Sequence, residues 1–190
     1  PGGGEAITLV DFAGINNSTS DVSIIEYEDF TAGAPGVLAQ GSTYPIIIKG
    51  NTLGNYTDYI RVFMDWNQNG LFSDAGEAYD VGTIHGSTGL DAIQATANIS
   101  VPLTATIGST RMRVTKRWSA YATECNSSGF GQAEDYTLVI GWPLAIELNY
   151  IDATNHGRRT LIQWSTIRDG IGDRFELEHS TDGKAFWSLT

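Results

Sequence analysis

Apolar and polar side chains alternate one by one through much of this chain, the period of a strand whose two faces meet different surroundings. Ile7-Thr8-Leu9-Val10-Asp11-Phe12 opens the series, and Val22 to Tyr27 follows a turn-rich stretch from Gly14 to Ser20. Tyr44 to Ile48 comes next, with Pro45 near its start, where a strand tolerates a missing donor. The clearest strand is Tyr59 to Trp66, with Ile60, Val62, Met64 and Trp66 on one face and Arg61 and Asp65 on the other. Ala95 to Val101 and Thr110 to Lys116 alternate in the same way; Met112 and Val114 point inward, Arg111 and Arg113 outward. Asp135 to Ile140 closes the series. No stretch sustains a 3.6-residue period. Short strands separated by Gly, Ser, Asn and Asp turns predict an all-β fold, an antiparallel sandwich of jelly-roll or immunoglobulin-like type.

At Gly141-Trp142-Pro143 the texture changes. Residues 1–141 read as one β-sandwich and residues 142–190 as a second, incomplete one. The second series comprises Ala145 to Ile151, Thr160 to Ser165, Arg174 to His179 and a fourth start at Ala185 to Leu189. An immunoglobulin-like sandwich takes about seven strands and 100 residues. Leu161, Trp164, Phe175 and Leu177 are therefore expected to form an apolar face that another chain, or another copy, covers. A head-to-tail contact that does not close on itself builds a filament, and a homo-oligomer of this kind is the expected assembly.

Composition narrows the function. The formal charge is −11, and residues 1–141 hold six basic against fifteen acidic side chains. A face that displaces counterions from nucleic acid, or that sits on an anionic membrane, needs the opposite sign. The 22 Gly suit strands joined by tight turns. No run approaches the roughly 18 apolar residues of a membrane span. Pro1-Gly2-Gly3-Gly4 reads as a linker, and no charged and apolar leader precedes it, so a mature or excised segment is expected. Cys125 is the only cysteine, either a free thiol or half of a bridge to another chain.

The richest chemistry lies in Asp65-Trp66-Asn67-Gln68-Asn69-Gly70-Leu71-Phe72-Ser73-Asp74-Ala75-Gly76-Glu77. Oxygen side chains at positions 1, 3 and 5 with Gly at 6 match the front half of a calcium loop, in which the carbonyl of position 7 also turns inward. Asp65, Asn67, Asn69, the Leu71 carbonyl, and Asp74 or Glu77 form the expected Ca²⁺ shell. The back half departs from the EF-hand, since Gly76 stands at position 12, and no helix flanks the loop. A polar hairpin turn that binds nothing is the other reading, because Asn-Gly pairs favour turns. Acids at both ends favour the cation.

Gly131-Gln132-Ala133-Glu134-Asp135-Tyr136-Thr137 supplies a second motif. Together with Val62-Phe63-Met64-Asp65-Trp66-Asn67-Gln68-Asn69-Gly70 and Gly108 to Val114, it resembles the GEVED domain over about residues 7–140. Gln132 and Ala133 stand where the signature has Glu and Val, and the cysteine that usually partners the position of Cys125 is absent. The resemblance implies a secreted or cell-surface β-sandwich of bacteria such as Bacteroidetes; it does not imply a known catalytic activity. Pro143 to Leu148, Gln163 to Thr166 and Phe175 to Phe186 resemble the opening of a fibronectin-type-III-like domain, as in cargo of type IX secretion.

Other chemistry is sparse. His85, His156 and His179 lack metal-ligand spacing, and no nucleophile elbow or phosphate loop appears. Glu134 and Asp135, adjacent in one strand, point to opposite faces and so make a poor glycosidase pair; Arg111 or Arg113 is the expected partner of one of them. Trp118, Tyr121 and Phe130 flank a polar loop and could present rings to a glycan, or could simply pack locally. Sequons at Asn16, Asn17, Asn55, Asn98 and Asn126 permit glycosylation on a secreted surface. The expectation is a non-catalytic, calcium-stabilised extracellular structural or adhesive subunit. A carbohydrate-binding accessory module of a secreted hydrolase is the alternative.

Overall fold

A computed structural model describes residues 5–125, 129–142, 148–157, 159–166 and 176–188. The chain divides into two compact units, Pro1–Pro143 and Leu144–Thr190. The described residues form strands and loops, and no helix among them is long and apolar enough to cross a membrane.

The first unit contains ten strands: β1 (Ile7–Phe12), β2 (Ile15–Ser18), β3 (Tyr27–Asp29), β4 (Gly36–Ala39), β5 (Thr43–Gly50), β6 (Thr57–Met64), β7 (Ala78–His85), β8 (Ala95–Ser100), β9 (Gly108–Trp118) and β10 (Gly131–Gly141). One sheet has the order β2-β1-β5-β8. The other has the order β3-β10-β9-β6-β7, with β4 beside β3 on the free edge of β10. Pairing is antiparallel except that β3 and β4 both run parallel to β10. The result is a β-sandwich.

Alternation decides what enters the core. Ile46, Ile48 and Ile99 of one sheet meet Ile60, Val62, Met64, Met112, Val114, Leu138 and Ile140 of the other in a single buried cluster. Ile7 and Val10 both reach it, although three residues apart, because a register shift between Ile7 and Leu9 turns β1 over. Trp66 joins from just beyond β6, and its ring N–H donates to the Tyr79 hydroxyl at 2.9 Å.

Several expected strands differ. Val22 to Tyr27 is largely unpaired loop; only Tyr27–Asp29 is strand, and Val22 and Ile24 are 74% and 77% exposed. The turn-rich stretch after Gly14 contains β2, whose Asn16 and Asn17 lie opposite Asp11 and Val10. β4 and β7 carried no expectation. Cα register explains β7: a shift opposite Ile60 and Arg61 leaves Val81 and Ile84 inward, three residues apart, so strict alternation fails there.

In the second unit, β11 (Leu148–His156) and β12 (Arg159–Thr166) form a hairpin, and β13 (Glu178–His179) pairs with β14 (Trp187–Ser188). The register sets Ile151 opposite Trp164 and Ala153 opposite Ile162, which gives one apolar face. Leu161, three residues before Trp164 on a regular strand, points to the other face, opposite Thr154. Leu161 and Trp164 therefore do not share a surface. Leu177 is 37% exposed, and Phe175 lies outside the described residues.

Candidate functional site

Residues 65–77 connect β6 to β7 and close on themselves. The amide of Met64 donates to the Glu77 carbonyl at 2.8 Å, and that of Asp65 to the Arg111 carbonyl at 3.1 Å. Inside the loop, Asp65 is 5% exposed and accepts the amides of Asn69 (3.1 Å) and Gly70 (2.9 Å) on separate carboxyl oxygens. Asn67 Oδ1 accepts from the Asn69 amide, and Asn69 Oδ1 from the Leu71 amide. Gly70 has φ +82° with open space where a Cβ would lie, so the backbone conformation, and not crowding, asks for glycine.

The acids at the loop's far end complete the arrangement. Asp74 accepts the side-chain amides of Asn67 (2.8 Å) and Asn69 (2.7 Å), which hold its carboxyl below the usual carboxylate range. Glu77 is 2% exposed; its Oε1 accepts the Trp66 amide at 2.9 Å, and its Oε2 is buried with no partner. Burial pushes the Glu77 carboxyl up, and Asp65 and Asp74 push the same way, while the backbone amides of Asn67 and Trp66 oppose them. The structure thus brings together Asp65, Asn67, Asn69, Asp74 and Glu77. Among the described residues no three His, Cys, Asp or Glu side chains already converge as a metal site, and this loop relies on two amides beside its acids.

On β10, Glu134 and Asp135 point to opposite faces. Asp135 is fully buried under the outer face and takes a two-pronged contact from Arg113, at 2.7 and 2.8 Å. Arg111 stands 3.8 Å away and the Tyr27 hydroxyl donates at 3.1 Å. Arg113 also donates to the Glu124 carbonyl and lies over the rings of Phe72 and Tyr27. Glu134 faces inward, 0% exposed, 2.5 Å from the Tyr136 hydroxyl. Burial pushes its carboxyl up to about 8.

Residues 59–139 match the family model of the GEVED domain. No curated protein matches the chain. The matched segment begins in β6 and ends in β10. It therefore contains the 65–77 loop and the Glu134-Asp135 pair, whereas β1 to β5 lie before it.

The rings sort into two groups. Trp118 meets Phe130 edge-on at 6.0 Å and Tyr56 at 6.1 Å, and the three are 43%, 44% and 51% exposed. Tyr121 instead packs on Tyr59 at 5.1 Å beneath the Arg61 guanidinium at 5.0 Å. Phe130 also borders a cavity of about 350 Å³ lined by Tyr27, Arg113, Glu124 and Cys125. Cys125 is an exposed free thiol. His85 ends β7, with its ring 2.8 Å from the Thr57 hydroxyl, and His179 packs on Trp187.

One polar cluster had no counterpart among the expected sites. Lys116, Asp58 and Glu5 meet in the interior of the first unit, with Lys116 Nζ 2.5 Å from Asp58 Oδ2 and 3.6 Å from Glu5 Oε2. Strand parity contained the signal, since Asp58 shares a face with Ile60 and Val62, and Lys116 with Met112 and Val114.

Proposed function

We propose that the first unit is a non-catalytic, calcium-stabilised structural module of a secreted or cell-surface bacterial protein. Glu77 Oε2 carries the reading. A buried carboxylate oxygen without a partner costs free energy unless a cation or a proton satisfies it, and this one closes a loop that offers oxygens at alternate positions. Rotating the Asn67 and Asn69 amides would turn their oxygens from the backbone toward Asp74, and Asp65, Glu77 and the Leu71 carbonyl would fill the remaining places. Calcium is the cation that such an all-oxygen set selects. A binding isotherm for Ca²⁺, measured by calorimetry on the chelator-treated protein, tests this. One site per chain is expected; no heat and no gain in thermal stability at millimolar Ca²⁺ would overturn it.

We further propose that the second unit, read as fibronectin-type-III-like in type IX cargo, links copies head to tail through the Ile151, Ile162 and Trp164 face. Ile151 and Trp164 are 62% and 42% exposed, and covering what remains of them is worth about 1 kcal/mol each. Sedimentation that stays monomeric at high concentration refutes the assembly. The alternative, carbohydrate binding, is favoured by the exposed Tyr56, Trp118 and Phe130 cluster. It fails if oligosaccharides leave the tryptophan fluorescence of the wild type unchanged.

A further inference from the structure

The buried Lys116 cluster is arranged for a reaction. Its register partner on β6 is Ile60, and Asp58 lies two residues along the same face, so the two side chains meet across adjacent strands. Both are fully buried, and Glu5 beside them is 4% exposed. The ammonium also donates to the Asn51 carbonyl at 3.0 Å, which fixes its direction. A Cβ on Gly50 would lie 2.5 Å from Lys116 Cδ, so only glycine leaves a passage for the lysine stem. Lys116 Nζ and Asp58 Oδ2 are 2.5 Å apart, and the carbon bearing that oxygen is one bond further. That is close to the roughly 3–3.5 Å separation from which bonds form.

As an ion cluster the site is poorly balanced. Two carboxyls face one ammonium in the buried interior, and Glu5 Oε2 and Asp58 Oδ1 are buried without hydrogen-bond partners in the protein. Burial pushes the Glu5 carboxyl up to about 7 and lowers the Lys116 ammonium, which favours a neutral amine and a protonated acid. A neutral amine is the form that attacks a carboxyl carbon.

We propose that Lys116 and Asp58 join spontaneously in an intramolecular isopeptide bond, with Glu5 carrying the proton. A proton passes from the Lys116 ammonium to Asp58 across their contact, and the freed lone pair of Nζ attacks Cγ of Asp58 and forms the N–C bond. Protonated Glu5 gives its proton to the departing hydroxyl from one oxygen and takes one from the nitrogen on the other, so the C–O bond breaks, one water leaves, and Glu5 ends protonated as it began. Overall an ammonium and a carboxylate become an amide and a water, with no change in net charge and no oxidant or reductant. The product also resolves the orphan atoms. One carboxyl oxygen departs as water, and protonated Glu5 can donate to the new amide carbonyl.

The test is the intact mass of the folded full-length chain, measured after denaturation, with peptide mapping. The expected mass is lower than the sequence mass by one water, and digestion should yield a branched peptide joining residues 58 and 116. Lys116→Arg and Asp58→Ala should restore the full mass. Glu5→Gln, of equal size, should slow conversion by about 10²–10⁴. Asp169-Gly170 and Asp182-Gly183 can lose water by succinimide formation, so dehydration without the branched peptide overturns the proposal. So does full mass in a natively folded wild type, a measurement that needs no variant to fold.

Discussion

Changing Glu134 to Gln should alter how stability depends on pH. In the folded protein this carboxyl is fully buried, bonded to the Tyr136 hydroxyl through one oxygen and without a partner on the other. Desolvation disfavours the charged form, and the pKa rises from 4.5 to about 8. The folded chain therefore keeps a proton that the unfolded chain releases between those values. Stability from this group is fully present below about pH 4.5 and is lost as pH rises through about 8. At about 1.4 kcal/mol per pKa unit, the full window is worth about 5 kcal/mol. Urea unfolding of wild type and Glu134→Gln at about pH 5, 7 and 9 isolates it, because other titrating groups, Glu5 included, are common to both. The wild type should lose about 3–4 kcal/mol relative to the variant between pH 5 and 9. A difference that stays constant with pH, or that favours the wild type as pH rises, would refute the reading of Glu134 as a neutral structural acid.

Asp135→Asn removes one side of a buried two-pronged pair and leaves Arg113, 22% exposed, without its counter-charge. A loss of about 2–3 kcal/mol by denaturant unfolding is expected, and a loss below about 0.5 kcal/mol would show that Asp135 is not structural. Calcium at about 100 times its dissociation constant should add about 2.7 kcal/mol, which raises the melting temperature by roughly 5–10 °C. Glu77→Gln should abolish that rise; a variant that retains it removes Glu77 from the shell. Gly70→Ala, forced to keep a positive φ, should cost about 1 kcal/mol in metal-free protein, and a neutral effect would mean that the loop opens easily.

The long central strands were legible because their surroundings are two-sided. Ile60, Val62 and Met64 are all fully buried, as are Met112 and Val114, and Arg61, Arg111 and Arg113 face outward. Strands that depend on a distant partner were not legible. β3 and β4 have three and four residues, and only the free edge of β10 specifies them, through parallel pairing that no local pattern encodes. Val22, Ile24 and Ile25 carry the apolar residues of a strand but no neighbouring backbone to pair with, so β-propensity there yields to context. In the 65–77 loop, spacing identified the group of side chains; their present hydrogen bonds depend on amide orientation, which spacing does not determine. The Lys116 cluster went unread, although parity sets Asp58 and Lys116 at inward positions, because the adjacency of β6 and β9 is not a local pattern. Glu5 joins it from outside both strands, and only tertiary structure brings it there.

These sites share a single sheet, and their order along it is informative. From β7 to β3, a side-chain tie spans each strand junction along the main path of the sheet. Arg61 and Asp80 join β6 to β7, Lys116 and Asp58 join β6 to β9, and Arg113 and Asp135 join β9 to β10. Gln132 bonds to Glu28 at 2.6 Å and the Tyr27 hydroxyl to Asp135, which joins β10 to β3. Backbone ladders alone yield when strands slide or peel, because each bond is worth only about 1 kcal/mol net. Ties that bridge every junction make the sheet fail as a unit, and ties that are metal-bound or covalent do not reopen at each thermal fluctuation. A binding module has no use for such continuity beyond keeping its surface in shape. The structural role proposed above would use it, with load passing between the β7 edge and the β3 edge of this sheet.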